Sequence, residues 1–478
     1  MGRARSGRTL KRSEPTFVRA PKFFQLTEEN NGLPLGERLY RRIRHLVLTG
    51  TLPNGARLAS SRALSKSLGI SRTSILVAFD RLIADGWLES RRSSGIYVCY
   101  SGLQPATTAF ASESANEMTT PFQLGWPSDN FPLKIWKGLQ LRNWRTMPGS
   151  TLLHGDRLGL PALRKAIAAR LAATRGLPCS AEQVIVTTSV EAGVELAIRV
   201  LGLIGEEIWV EDPCGRLKFF ALLRAGLRVA PVPVDHQGMD VKAAKSTAPH
   251  AKAAIVTPTC QAPTGVTLSA NRRTELVRWA ETSSAWILED DFNWDGDGIS
   301  RAISPLAATD LQRTIYFNSF NHILFPGLRV AYFVVPSRLV DHFNRIRGSE
   351  GDVNTPNQIV LTDFIEGGFL DDHLRRLNSS NAERRAALLS YIKRDHTPMI
   401  EPQNTPGGYF VCALNGISES TLIYIARSAG ISVPGMSEHR MNVGKAEEII
   451  LGFSQFKPEI LSAASTMLRR VLETADIR

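Results

Sequence analysis

Between residues 184 and 317 the chain repeats one pattern, a short apolar run followed by a longer stretch with helical spacing. Val184-Ile185-Val186-Thr187 precedes the helical run from Ala192 to Leu203, and Glu207-Ile208-Trp209-Val210 precedes Leu217 to Ala225. Ala253-Ala254-Ile255-Val256 leads to a helix near Arg272 to Thr282, and Trp286-Ile287-Leu288 and Thr314-Ile315-Tyr316-Phe317 follow. Strands alternating with helices predict an α/β body, a mostly parallel sheet covered by helices. From about residue 370, long helices and a few strands predict a smaller α+β subdomain.

At 478 residues the chain has room for several domains and at least one large core. It carries no run of about 18 apolar residues, so no membrane span is expected. The N-terminus is basic but lacks the apolar core of a secretory signal peptide. Cys99, Cys179, Cys214, Cys260 and Cys412 are scattered, odd in number and never at metal-ligand spacing. They predict reduced thiols in a cytoplasmic protein and no metal site. Charge is divided unevenly. Residues 1–100 hold 18 Lys/Arg against 7 Asp/Glu, a net +11, whereas the other 378 hold 39 against 38. A neutral body behind a basic front piece points to a polyanion partner for that piece.

The front piece has its own punctuation. Leu35, Leu39, Ile43, Leu46 and Val47 follow helical spacing, and Gly50 and Pro53-Asn54-Gly55 close that helix. Ser60-Ser61 offers an N-cap for a second helix carrying Leu64 and Leu68, which Gly69 breaks. Ser71 caps a third helix with Ile75, Phe79, Leu82 and Ile83 on its inner face, and Asp85-Gly86 ends it. Trp87 to Ser90 and Gly95 to Val98 read as two strands around Arg91-Arg92-Ser93-Ser94. Three helices and a hairpin in this order predict a winged helix-turn-helix. Its recognition helix would enter the major groove by the end bearing Ser71, Arg72, Thr73 and Ser74. Arg62, at the start of the second helix, and Arg91 and Arg92, at the wing tip, are the further candidates for DNA contact. The organisation expected is a basic tail over 1–32, a winged helix over 33–100 and a flexible linker over 101–120. The α/β body over 121–478 follows, with its small subdomain over about 370–478.

The stretch from Leu39 to Val98 resembles the GntR family of bacterial regulators. Pro53-Asn54-Gly55-Ala56-Arg57-Leu58, Ser60-Ser61-Arg62 and Leu68-Gly69-Ile70-Ser71-Arg72 carry the likeness. The body resembles fold-type I aminotransferases, which use pyridoxal phosphate (PLP), through six pieces in order. Gly155-Asp156 comes first, Gly159-Leu160-Pro161-Ala162-Leu163-Arg164 second and Glu211-Asp212-Pro213 third. Gln261-Ala262-Pro263-Thr264-Gly265, Glu289-Asp290-Asp291 and Leu324-Phe325-Pro326-Gly327-Leu328-Arg329 follow. Together the two parts resemble the MocR subfamily. That resemblance implies an operator-binding homodimer, with each winged helix packed on its partner's body.

Set against the family pattern, the expected cofactor pocket is degenerate. The Schiff-base lysine of the family lies seven residues before the motif arginine, where this chain has His322, and imidazole cannot condense with an aldehyde. No lysine occurs between Lys252 and Lys393. The phosphate turn reads Ser189-Val190-Glu191-Ala192. A glutamate about 4 Å from a phosphate would cost roughly 4 kcal/mol at intermediate dielectric, more than a helix N-terminus returns. Ser189, Ser319 and Arg329 remain as anion contacts. Asp290 matches the carboxylate that pairs with the ring nitrogen, but Phe292 replaces the ring-contacting tyrosine, Gly215 the stacking aromatic and His154 a further tyrosine. Ile450 stands where the family's substrate-binding arginine precedes Leu451-Gly452-Phe453.

These losses predict a regulator whose body dimerises and senses an effector without transamination and holds no covalent cofactor. Three alternatives stay open at this level. The body is a pure scaffold, it binds PLP or another small molecule noncovalently, or it is a working aminotransferase with a DNA-binding appendage.

Overall fold

The computed structural model describes residues 35–48, 52, 55–84, 87–91, 95–99, 120–125, 128–153, 155–291, 303–347, 353–395, 399–403, 405, 407–441 and 447–476. The expected basic tail, the linker apart from Thr120, Arg92, His154 and Phe292 lie outside the described residues, as do the turn residues 53–54 and 85–86. The chain divides into two compact units between residues 116 and 117.

In the first unit, helices α1 (Leu35–Leu48), α2 (Ser61–Leu68) and α3 (Arg72–Ala84) precede a hairpin of β1 (Leu88–Arg91) and β2 (Gly95–Val98). Local chemistry sets the boundaries. Ser60 accepts the Ala63 N–H at 3.2 Å and caps α2. Gly69 ends α2 at φ +67°, a conformation that any Cβ makes costly. Ser71 accepts the Ser74 N–H at 3.1 Å and caps α3. Leu39, Ile43, Leu64, Ile75, Phe79 and Leu82 form the core, joined by Leu88 and Val98 from the hairpin. Residues 55–58 add a short third stretch beside β2. Val98 donates to Ala56 O at 3.0 Å and Leu58 donates to Ile96 O at 2.9 Å.

The second unit opens with α4 (Leu133–Thr146) and α5 (Pro161–Arg175). Then come β3 (Val184–Thr187), α6 (Val190–Val200), β4 (Glu207–Asp212), α7 (Arg216–Arg224), β5 (Arg228–Asp235), β6 (Gly238–Met239) and α8 (Val241–Thr247). The chain continues through β7 (Ala253–Val256), α9 (Ala270–Thr282), β8 (Trp286–Asp290), α10 (Leu306–Thr309), β9 (Thr314–Ser319), β10 (Ala331–Val334), α11 (Val340–Ile346) and α12 (Thr355–Glu366). It closes with α13 (Phe369–Asp395), β11 (Ile400–Pro402), β12 (Tyr409–Leu414), α14 (Glu419–Ser428), β13 (Glu448–Gly452) and α15 (Pro458–Asp476).

Eight strands form one sheet in the order β3-β10-β9-β8-β7-β4-β5-β6. Strands β9, β8, β7, β4 and β5 pair in parallel, as the alternation predicts. Strand β10 is inserted antiparallel between β3 and β9, and β6 is antiparallel to β5, so the sheet is mixed. Only eleven residues separate β9 from β10, too few for a covering crossover between parallel strands. The helices close apolar cores over the sheet. Ile167, Leu171, Val186 and Tyr332 lie in one, Ile198, Ile208, Leu288 and Phe333 in another.

Helix α13 serves two cores. Leu370 and Leu374 belong to the large sheet's core, while Leu388 and Ile392 belong to the small subdomain, whose antiparallel sheet runs β11-β12-β13. That smaller core also takes Phe122 from the start of the body. Gly452 is required there. A Cβ at this position would stand 2.5 Å from the Gln123 carbonyl oxygen and 2.9 Å from that of Phe122. No helix among the described residues is long and apolar enough to cross a membrane, and no cluster of metal-ligating side chains occurs among them.

Candidate functional site

Two surfaces carry the residues singled out from sequence, one in each unit. In the first unit they gather at the N-terminal ends of α2 and α3. Arg62, Ser71, Arg72 and Thr73 are exposed and Ser74 is half-buried. Arg72 Nε donates to Ser61 Oγ at 3.3 Å, which ties the starts of the two helices together. Ser71 Oγ lies 2.9 Å from Ser74 Oγ. Neither helix has an acidic residue in its first turn, so both positive dipole ends are unopposed. Such an end, with arginine beside it and short hydroxyls on it, suits phosphate oxygens and base edges. At the wing, Arg91 Nε donates to Glu89 Oε1 at 2.6 Å, and its guanidinium lies 4.4 Å from the centroid of the Tyr97 ring. The hairpin therefore presents an ion pair stacked on an aromatic face. Glu89 was not singled out from sequence, although its two-residue spacing from Arg91 on one strand face is the signal that reveals it.

In the second unit the residues converge at the carboxyl ends of β3, β8 and β9, where open α/β sheets place ligands. Ser189 is the N-cap of α6 and accepts the Ala192 N–H at 3.2 Å. Val190 and Glu191 open that helix, with Glu191 in its first turn. Asp290 is the last residue of β8, and Ser319 the last of β9. His322 and Arg329 lie exposed on the loop between β9 and β10, with Arg329 at φ +54°. Asn321, not anticipated from sequence, organises this loop. Its amide donates to Thr188 O at 3.1 Å, its oxygen accepts from Val330 N–H at 2.9 Å, and its N–H reaches Ser319 Oγ at 3.0 Å. The two loops bearing Ser189 and Ser319 are thereby laced together.

The three consecutive carboxylates at the end of β8 have separate fates. Glu289 is fully buried and accepts the Leu306 and Ala307 N–H groups at 2.7 and 2.8 Å, capping α10. Burial, and then the neighbouring Asp291, push its carboxyl up to about 7. Asp291 is clamped by Arg175, whose Nε and Nη2 donate at 2.8 and 3.0 Å. It also accepts from Thr259 Oγ1 and from the Tyr316 hydroxyl, both at 2.8 Å. Asp290 alone stands at the sheet's ligand edge, paired in register with Phe317.

The residues present do not fit covalently held PLP. The loops after β7, β8 and β9 all fall between Lys252 and Lys393, so none of them supplies a primary amine. Gly215, expected from sequence at the stacking position, is the N-cap of α7. Ile450, expected from sequence at the substrate-clamp position, is fully buried in an apolar cluster with Tyr409, Val411 and Met436.

Residues 35–98 match the model of bacterial regulatory proteins of the gntR family, and residues 128–420 match aminotransferase class I and II. The chain is 29% identical to a probable rhizopine catabolism regulatory protein, MocR, of Rhizobium meliloti, over 91% of this chain and 93% of the relative. It is also 29% identical to the HTH-type pyridoxine biosynthesis transcriptional regulator PdxR of Corynebacterium glutamicum, over 89% and 93% respectively. Among solved structures, a multiple substrate aminotransferase from Thermococcus profundus superposes with a TM-score of 0.68 at 22% identity. It covers 75% of this chain and 93% of that one, a likeness of fold.

Proposed function

The chain belongs to the MocR subfamily, a gntR-family winged helix joined to a body of the aminotransferase class I and II family, and from that premise we propose a DNA-binding transcriptional regulator whose body dimerises and senses an effector without transamination. The observation that carries the DNA reading is the paired start of α2 and α3, where Ser61 holds Arg72 beside Arg62 and no acid opposes either helix end. Ser71, Arg72, Thr73 and Ser74 are assigned to base edges and nearby phosphates, and Arg62, Arg91 and Arg92 to the phosphate backbone. The protein acts on operator DNA in the cytoplasm. The domain plan is that expected from sequence, with residues 101–120 as linker.

Catalytic silence follows from the chemistry of His322 and Ile450. An imidazole forms no Schiff base, and a buried isoleucine binds no carboxylate. Ser189, Ser319 and Arg329 are proposed as contacts for an anionic effector, with Asp290 across the site. The test is the absorbance of the full-length protein with and without PLP, then borohydride reduction and intact mass. The expected result is no band of a lysine-bound cofactor and no pyridoxyl adduct. A stoichiometric adduct at one lysine would revive the enzyme.

Dimerisation is supported by apolar side chains that this chain leaves uncovered. Leu133, Leu141 and Trp144 are exposed along α4, and Leu152 and Leu153 on the turn after it, with Trp144 56% and Leu153 72% accessible. Exposed apolar groups in such numbers mark an interaction surface. A second copy of the chain is the proposed occupant. Trp144→Asp with Leu153→Asp is expected to shift the sedimentation mass from dimer to monomer with the fold retained. A folded double variant that stays dimeric would place the interface elsewhere.

A further inference from the structure

We propose that Leu76 and Val77 read thymine, taking the 5-methyl groups of thymines in the major groove at the apolar centre of the recognition surface. The inference rests on the DNA-binding reading above and names the base chemistry that α3 selects. Helix α3 buries Ile75, Ala78, Phe79 and Leu82 against its own unit. The opposite face, at spacings of three and four, carries Thr73, Leu76, Val77 and Asp80. Leu76 is 40% and Val77 59% accessible, and only Leu35 joins them as an exposed large hydrophobic among the described residues of this unit.

The surroundings say what covers the pair. Arg62 and Arg72 are exposed at the starts of α2 and α3 and Lys66 is exposed in the last turn of α2, and residues 1–100 carry the chain's excess of 18 basic against 7 acidic side chains. A cationic rim selects a polyanion. Among the base edges in the major groove of a duplex, the thymine methyl is the apolar group, the contact expected of an aliphatic side chain. Leu76 and Val77 are the fifth and sixth residues of α3, within the two turns that enter the groove when a recognition helix docks by its N-terminal end. Asp80 follows one turn later, at the end away from Arg72.

The experiment uses the full-length protein and duplexes selected from a randomised pool. The selected duplexes are then remade with uracil in place of thymine, which removes the methyl and leaves the Watson–Crick edge unchanged. Wild-type protein is expected to bind the uracil duplex about fourfold more weakly per methyl contact, the worth of one buried carbon, and about tenfold or more where two are touched. Leu76→Ala with Val77→Ala is expected to bind both duplexes equally. Should that variant lose helix by circular dichroism, Leu76→Gln with Val77→Gln, which keeps helix propensity and removes both aliphatic ends, supplies the same comparison. Equal wild-type affinity for the two duplexes overturns the inference, as does a uracil penalty that persists undiminished in the variants. A wild-type protein that selects no sequence and binds no duplex overturns this inference together with the DNA reading, which the other outcomes leave standing.

Discussion

Replacing Arg175 by methionine is expected to destabilise the body by about 3–5 kcal/mol, the usual result of stranding one member of a buried ion pair. Both side chains of the Arg175–Asp291 pair are fully buried. Besides its two hydrogen bonds to Asp291, Arg175 donates to Ile303 O at 2.7 Å and lies 3.3 Å from Thr259 Oγ1. Methionine matches the length of the stem but leaves the buried Asp291 carboxylate, near buried Glu289, without its paired cation. Burial already holds the Asp291 carboxyl above its ordinary value with Arg175 in place, and loss of that cation raises it further. A group raised in this way stabilises below its unfolded pKa and loses that contribution as pH rises through the folded value. The deficit should therefore be smaller near pH 5 than near pH 8. Adding Asp291→Leu should recover part of the loss, the remainder reflecting the Thr259 and Tyr316 hydroxyls left without their acceptor. Urea unfolding followed at a body tryptophan measures all of this. A loss below about 1 kcal/mol, or one insensitive to pH, would show that the pair does not hold the body together.

That pair also marks where sequence reasoning stops. Glu289-Asp290-Asp291 is one string of carboxylates in the sequence. Their fates are set by partners far along the chain, Arg175 lying 116 residues from Asp291. The winged helix was legible in detail because Ser60, Gly69 and Ser71 act on residues within one turn of themselves. Strands β3, β4, β7, β8 and β9 were legible as unbroken apolar runs.

Strand β5 was not, because Pro231 and Pro233 read as breakers. The Arg228 N–H points at Glu206 O, on the β4 side, so with strand alternation the two prolines lack donors only on the opposite edge. There β6 covers just Val234 and Asp235. The antiparallel β10 was missed although the eleven-residue loop before it excludes a crossover. At the ligand edge, the lack of any lysine between Lys252 and Lys393 was readable because residue type alone decides whether a Schiff base can form. The lacing of loops through Asn321 was not, since it joins residues 133 positions apart.

The affinity for DNA should fall on the order of a thousandfold between 50 and 200 mM salt, if a dimer neutralises about six phosphates. Each winged helix offers Arg62, Lys66 and Arg72 at its surface, so two copies supply that number, with Arg91 at the wing in addition. Arg91 differs from the others because Glu89 already holds its charge. A phosphate must compete with that carboxylate, and the carboxylate itself repels the backbone. Glu89→Gln should therefore tighten binding at low salt and steepen the salt slope by about one per winged helix. Arg91→Ala should weaken binding to all sequences alike and flatten the slope. Arg72→Ala should instead relax sequence preference, because it stands at the groove-entering end of α3 rather than on the hairpin. Fluorescence anisotropy on selected and scrambled duplexes across a salt series separates these effects. Equal, sequence-blind losses from the two arginine variants would remove the division of roles, and an unchanged slope in Glu89→Gln would take the wing off the DNA. On this expectation the acid beside Arg91 would act as a brake on non-specific binding. It would hold the wing cation at a lower effective charge and leave more of the discrimination to α3.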